Sequence, residues 1–301
     1  MTRKRLTPAL VALSVLIVAT TVTAAVQGAW APAQKIDEIA GNSTELNTPS
    51  LDGCPILSPD GRSLYMATNR PGGHGGLDIW VSRRADTDAP FDAPVNLPAP
   101  VNSASDDFCP TPLRGNRLLF VSRRTTDQSC GMGDIYETRD NPKHGWSSPR
   151  HFACAPDGPN SAFDEQGPSL AEIDGTDQLY FSRSSASMPG DIFVSHDFGP
   201  ATPVSELNSP DNDIQPNVHK DGRELVLSSN HAYANAKGAQ DIYVSTRAST
   251  DDPWSEPVNL GDAVNSGAAE SRPSLSWDAL TLLFGRAPGP EGMSDIYIST
   301  R

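Results

Sequence analysis

A five-residue pattern returns five times along this chain and restricts the folds open to it. The copies are Asp78-Ile79-Trp80-Val81-Ser82, Asp134-Ile135-Tyr136-Glu137-Thr138, Asp191-Ile192-Phe193-Val194-Ser195, Asp241-Ile242-Tyr243-Val244-Ser245 and Asp295-Ile296-Tyr297-Ile298-Ser299, spaced by 50 to 57 residues. Each is rich in β-branched and aromatic residues and alternates as a strand does. A second apolar strand lies upstream of each copy: Leu64-Tyr65-Met66, Leu118-Leu119-Phe120, Leu179-Tyr180-Phe181, Leu225-Val226-Leu227 and Leu282-Leu283-Phe284. A turn comes before that, clearest in Ser58-Pro59-Asp60-Gly61 and Lys220-Asp221-Gly222, where Asp-Gly between apolar runs signals a hairpin. A short Pro-containing strand precedes the turn, as in Pro55-Ile56-Leu57 or Pro273-Ser274-Leu275. After four of the five copies an aromatic residue (Phe91, Trp146, Phe198 or Trp254) is expected to open a fourth strand.

Four antiparallel strands repeated five times, with no helical period, predict an all-β fold: a five-bladed β-propeller of four-stranded blades. The 301 residues suit one such domain, and 27 Pro and 24 Gly spread along the chain suit many short strands and turns. The sequence stops after the third strand of the fifth repeat, while Trp30 to Ile36 reads as an orphan fourth strand. That N-terminal strand is expected to complete the last blade and remove an open edge.

The beginning of the chain has a different character. Arg3, Lys4 and Arg5 precede an apolar run from Ala9 to Val22, with small residues around Val22-Thr23-Ala24. This is the layout of a secretory signal peptide over residues 1–29, cleaved near 24–29, with the propeller occupying 30–301. The alternative is an uncleaved anchor, since Ala9 to Val26 barely suffices to span a bilayer. No Cys lies before Cys54, which argues against a lipid anchor. Losing the first 30 residues takes the formal charge from −14 to −17. So acidic a chain repels nucleic acid and anionic lipid surfaces. The expectation is a bacterial periplasmic or secreted monomer, without stable membrane insertion once cleaved.

Ser58-Pro59-Asp60-Gly61-Arg62-Ser63-Leu64-Tyr65, followed by Asn69-Arg70 and Asp78-Ile79-Trp80, resembles the WD-like, Pro-Asp-containing repeat of TolB-like periplasmic proteins. The resemblance covers nearly all of the chain after the signal and implies a propeller. Related repeats serve scaffolds, ligand binders and accessory domains of enzymes, so it fixes the fold more tightly than the function.

The links between blades repeat more strictly than the strands. Each reads Asn-Ser/Thr, three residues, an acid, two residues and Pro: Asn47/Asp52/Pro55, Asn102/Asp107/Pro110, Asn160/Glu165/Pro168, Asn208/Asp213/Pro216 and Asn265/Glu270/Pro273. Strand order places Asp52, Asp107, Glu165, Asp213 and Glu270 on one face, as a ring of carboxylates around the channel mouth. Two of them would suit acid/base work on a glycoside, or the ring would suit a structural Ca²⁺. Because a catalytic pair is needed once and a structural device in every blade, the reading preferred is that each acid braces its own loop through backbone N–H groups or a local Arg.

Function then belongs where the five-fold pattern breaks. The residue before each repeat Pro is Cys54, Cys109, Gly167, Gln215 or Arg272, and these should face the channel mouth. The loops between second and third strands differ as well: blade one carries His74 in a Gly-rich loop, and blade four carries His231, Tyr233 and Lys237. The candidate ligand contacts are Arg70, His74, Arg124, Gln215, His231, Tyr233, Arg272 and Arg286. The Gly-rich loop lacks the helix that a phosphate cradle needs. Cys54, Cys109, Cys130 and Cys154 allow three pairings; Cys130–Cys154 and Cys54–Cys109 are preferred. No C-x-x-C spacing marks a zinc site and no G-x-S-x-G marks a nucleophile elbow. No catalytic residue, metal site or cofactor is assigned beyond the Ca²⁺ alternative. The expectation is a non-enzymatic scaffold for an envelope protein, peptide or glycan, with a glycoside hydrolase using channel-mouth carboxylates as the alternative.

Overall fold

The computed structural model describes residues 28–301, so the signal-peptide reading of the first 27 residues lies outside it. Five antiparallel sheets follow one another around a ring. Blade one runs Asp52–Leu57, Ser63–Thr68, Asp78–Arg83 and Val95–Asn96. Blade two runs Asp107–Leu113, Arg117–Ser122, Asp134–Asn141 and Arg150–His151, with Gly145–Trp146 folded back on the long third strand. Blade three has the longest strands, Asp164–Ile173, Thr176–Ser185 and Met188–His196, edged by Ala201–Pro203. Blade four runs Asp213–Val218, Glu224–Ser229, Asp241–Thr246 and Val258–Asn259. Blade five contributes Ala269–Leu275, Thr281–Ala287 and Asp295–Thr300.

The ring closes through the N-terminal segment. Gln34 and Lys35 pair with Ile298 and Tyr297 as the fourth strand of blade five. Ile36 is fully buried behind them, and Arg301 stacks over the Trp30 ring at 4.4 Å. The fourth-strand aromatics behave differently from expectation. Phe91, Phe198 and Trp254 precede the strands they were expected to open; Phe91 and Trp254 pack into the layers between blades. Only Trp146 lies on a strand, and that strand is the extra hairpin of blade two.

The apolar triplets of the second strands explain the core. Successive side chains point to opposite faces of a sheet, and here both faces are covered by neighbouring blades. Leu118 and Phe120 pack towards blade one with Ile79 and Val81, while Leu119 packs towards blade three with Leu179 and Phe181. The hydrophobic core is thus divided into layers between blades.

The repeated Asn of each link acts as a staple. Asn102 accepts from Ile79 N–H at 2.9 Å and donates to Ile79 C=O at 2.9 Å. Asn160 does the same to Ile135, Asn208 to Ile192, Asn265 to Ile242 and Asn47 to Ile296. A side-chain amide, carrying one acceptor and two donors, stands in for a missing ladder partner. Each staple joins one blade to the next, and the Asn47–Ile296 staple spans the closure.

Candidate functional site

The link acids form a second repeated device. Thr48, Ser103, Ser161, Ser209 and Ser266 each donate a backbone N–H to the carboxylate four residues on. In four blades an arginine completes the arrangement. Arg70 binds Asp52 and Arg124 binds Asp107, both at 2.7 Å; Arg183 binds Glu165 at 2.8 Å and Arg286 binds Glu270 at 2.7 Å. Side-chain length and position compensate. The longer Glu meets an Arg directly opposite on the second strand, whereas the shorter Asp meets one two residues further on. Each guanidinium also lies over an aromatic ring, Trp80, Tyr136, Phe193 or Tyr297.

All five acids are fully buried, so they do not present a carboxylate ring at the channel mouth. They brace their links instead, and Arg70, Arg124 and Arg286 are committed to them. In Glu165, burial outweighs the Ser161 and Arg183 contacts and pushes the carboxyl up to about 7.

The fourth blade breaks this device. Ser229 stands opposite Asp213, and His231 occupies the position two residues on where blades one and two carry arginine. Tyr233 packs over the third-strand Tyr243 at 5.1 Å, the place taken elsewhere by a guanidinium. One oxygen of the buried Asp213 therefore has no partner. Burial and then the Asp213 charge push the Tyr233 hydroxyl up to about 12. The His231 ring meets Tyr233 edge-on at 4.5 Å, and its Nδ1 lies 2.7 Å from the exposed Asp211 carboxylate. His231 and Tyr233 are thus brought together with Asp211, a residue that sequence reasoning passed over.

The neighbouring third blade breaks a different repeat. In the other four blades the Asp that opens the third strand caps the loop before it: Asp78 takes His74 and Gly75 N–H, Asp134 takes Cys130 N–H, Asp241 takes Lys237 and Gly238 N–H, and Asp295 takes Glu291 N–H. Those loops press against the next link because Gly75, Gly131, Gly238 and Gly292 lie three residues before the Asp; a Cβ there would strike link backbone. Blade three has Met188 at that position. Its connection zips into a hairpin turning at Ala186 and Ser187, and the Ser187 N–H goes to Ser185 Oγ at 3.2 Å. Asp191 is left partly exposed and accepts no hydrogen bond among the described residues. Burial first, and the Asp213 charge second, raise its pKa above the ordinary aspartate range. Gly190 N–H bonds Asn212 Oδ1 at 2.8 Å, which holds Asp191 beside the link carrying Asp211 and Asp213.

The axial channel is lined by Cys54, Cys109, Gly167, Gln215 and Arg272, as the sequence placed them. Each sits in a bulge of its first strand with φ between 47° and 59°. For the four that are not glycine this left-handed conformation costs about 1–2 kcal/mol each. Cys54 and Cys109 are joined in a disulfide with Cα atoms 4.9 Å apart, and Cys130 joins Cys154 with Cα atoms 5.7 Å apart. The free space in the channel is about 30 Å³, room for a water molecule and too little for a sugar ring. Among the described residues, the group of three side chains able to converge on a metal is Cys130, Asp134 and His151, and its cysteine is spent in a disulfide. His74 stays in an exposed loop apart from the blade-four cluster, while Lys237 pairs with Asp262 at 2.5 Å.

Geometry and architecture define the class first: a five-bladed β-propeller with a pattern-breaking acidic cluster on the face that carries the inter-blade links. Solved structures of similar architecture follow. The chain matches the catalytic domain of a Coprinopsis cinerea GH62 α-L-arabinofuranosidase at 12% identity and TM-score 0.54, covering 90% of this chain and 96% of that one. It matches a GH43 endo-arabinanase from Bacillus licheniformis at 16% identity and TM-score 0.54, covering 84% and 94%. An α-L-arabinofuranosidase from Lactobacillus brevis matches at 12% identity and TM-score 0.54, covering 82% and 90%. At these identities the likeness is one of fold. No protein-family model matches the sequence, and no curated protein is similar to it.

Two expectations are corrected by these matches. The architecture is that of the five-bladed glycoside hydrolases of families 43 and 62 and not that of TolB-like propellers. The Pro-Asp-Gly turn that carried the resemblance is a hairpin device open to any blade. The non-enzymatic scaffold reading, which rested on a chain almost wholly consumed by repeats and lacking a recognisable nucleophile or metal set, is corrected as well. A domain described as catalytic is covered almost end to end by these same five blades.

Proposed function

We propose that the protein is a glycoside hydrolase whose acid/base machinery lies at the junction of blades three and four. One observation carries this reading: Asp191 alone among the five third-strand acids caps no loop, and it lies within the influence of the Asp213 charge, which no arginine offsets. A carboxyl with a raised pKa beside a second carboxyl is the arrangement that splits acid and base roles between two like groups. Asp191, protonated, delivers its proton to the glycosidic oxygen. Asp211, held by His231 at 2.7 Å, is the second carboxylate that acts on the opposite side of the sugar. Asp213 touches no substrate and acts through its charge on Asp191. The two disulfides support an enzyme working in an oxidising compartment outside the cytoplasm.

The test is release of reducing sugar from a panel of plant and bacterial polysaccharides. Asp191→Asn should lower kcat by about 10²-fold or more without altering the unfolding curve. The sign of the pH effect follows from the raised pKa. The protonated, active form persists to higher pH than for an ordinary aspartate and is lost as pH rises through that pKa. Asp213→Asn removes the repulsion and should move the alkaline limb of the pH–rate profile to lower pH. An Asp191→Asn variant as active as the wild type, or no turnover on any polysaccharide, would sink the reading.

A further inference from the structure

Arg272, partly buried with its Nε enclosed, stands apart from the arginines of this protein that hold a carboxylate. Arg70, Arg124, Arg183 and Arg286 each hold a link carboxylate, and Arg301 holds Glu224 through two bonds. Arg272 has no carboxylate partner among the described residues, and its Nε is enclosed without a hydrogen bond. The guanidinium lies across Gly53, where a Cβ would come within 2.5 Å of Nη1. A second positive group, Arg123, is near enough to disfavour the Arg272 charge, and Arg123 itself bridges Asp106 and Asp164. Gln215, two inner strands away from Gly53 around the channel, has a buried Oε1 that is likewise unpartnered.

A buried cation without a counter-ion is destabilising, as is a buried amide oxygen without a donor. Both residues also hold a backbone conformation that disfavours any side chain. The other two non-glycine residues at this level spend that strain on a disulfide. Gln215 and Arg272 spend it on polar groups left open to the channel, in a protein whose net charge is −14. The Arg272 guanidinium lacks an anion, which a ligand can bring, whereas the Gln215 amide oxygen is an acceptor and calls for a hydroxyl donor. The free space of about 30 Å³ excludes a sugar ring, so a ring must stay outside on the mouth with only its carboxylate directed at Arg272.

We infer that the channel mouth binds the carboxylate of a uronic acid residue against Arg272, making the substrate class an acidic glycan. This rests on the reading of the protein as acting on glycans, and the test separates the two. Titration calorimetry would compare trigalacturonate with its fully methyl-esterified form, which keeps the shape and removes the charge. The protein would be the wild type, Arg272→Gln, and the inactive Asp191→Asn variant. The acid form should bind wild type and Asp191→Asn at least about 10-fold more tightly than the ester. Arg272→Gln should bind both forms equally. Equal binding of acid and ester by the wild type would overturn the inference, and so would failure of both to bind. A preference retained by Arg272→Gln would overturn it too. Acetate that displaces trigalacturonate at concentrations equal to the sugar's own would show a site for a small ion only, and would also overturn it. Should Arg272→Gln fail to fold, the comparison of acid with ester on the wild type decides alone. If the acid form binds preferentially yet no polysaccharide is cleaved, only the hydrolase assignment fails.

Discussion

Replacing Asn265 by alanine removes three hydrogen bonds: the one Ile242 N–H donates at 2.8 Å, the one Ile242 C=O accepts at 2.9 Å, and one Asn265 donates to Asn259 Oδ1 at 2.9 Å. Both backbone groups lie in a buried third strand, and Ile242 itself is fully buried. Water cannot readily replace the lost partner, so each orphaned group costs about 1–3 kcal/mol. The expected destabilisation is about 2–5 kcal/mol, read as a lower urea midpoint at unchanged slope. The ring supplies its own replicates. Asn102 and Asn160, equally buried, should behave like Asn265, whereas the partly exposed Asn208 should cost less because water can enter. Aspartate is the sharper substitution: it can still accept from the Ile N–H but cannot donate to the C=O, and it adds a buried charge. Asn265→Asp should therefore be at least as damaging as Asn265→Ala near neutral pH. Losses below about 1 kcal/mol at both Asn102 and Asn265 would refute the staple as a source of stability.

The link acids offer a comparison of opposite sign. Asp107→Asn leaves Arg124 unneutralised in a buried site and should cost about 3–5 kcal/mol, whereas Asp213→Asn removes a charge that has no arginine and should be neutral or stabilising; equal losses in urea unfolding would contradict the account of blade four. Truncating the chain so that it begins at Glu38 deletes the closing strand and the fully buried Ile36, whose burial alone is worth about 1.5–3 kcal/mol. The thermal midpoint should fall sharply, and an unaltered melting curve would disprove closure by this segment.

Most of the architecture was legible because the determinants are local and repeated. Alternating Asp-Ile tails, apolar triplets and Asp-Gly turns each specify a strand or hairpin within a few residues, and five copies leave little choice of topology. The closing strand was legible by subtraction, since blade five had three strands and Trp30 to Ile36 had no blade. Of the three possible disulfide pairings, strand order favoured the one observed, because it set Cys54 and Cys109 at equivalent places in neighbouring blades. The fourth strands were misplaced because a large aromatic residue was read as strand when it serves as a plug between blades. The acidic ring was put at the channel mouth because strand order gives the end of the blade but not which side a carboxylate faces. The Arg partners of those acids sit at two different offsets, so no fixed spacing betrays them. Asp191 was within reach of the sequence. Four tails carry Gly three residues before the Asp, and Met188 in the third marks a loop unable to cap it. Asp211 had no such signal, because its role comes from the His231 side chain reaching across from another loop.

The Cys54–Cys109 bond ties the first strands of blades one and two together inside a passage with room for little more than a water molecule. The axis of the ring is therefore too narrow to admit a sugar ring. A polymer cannot thread through the disc; it must lie across one side, and whatever is cut from it must depart by the side on which it arrived.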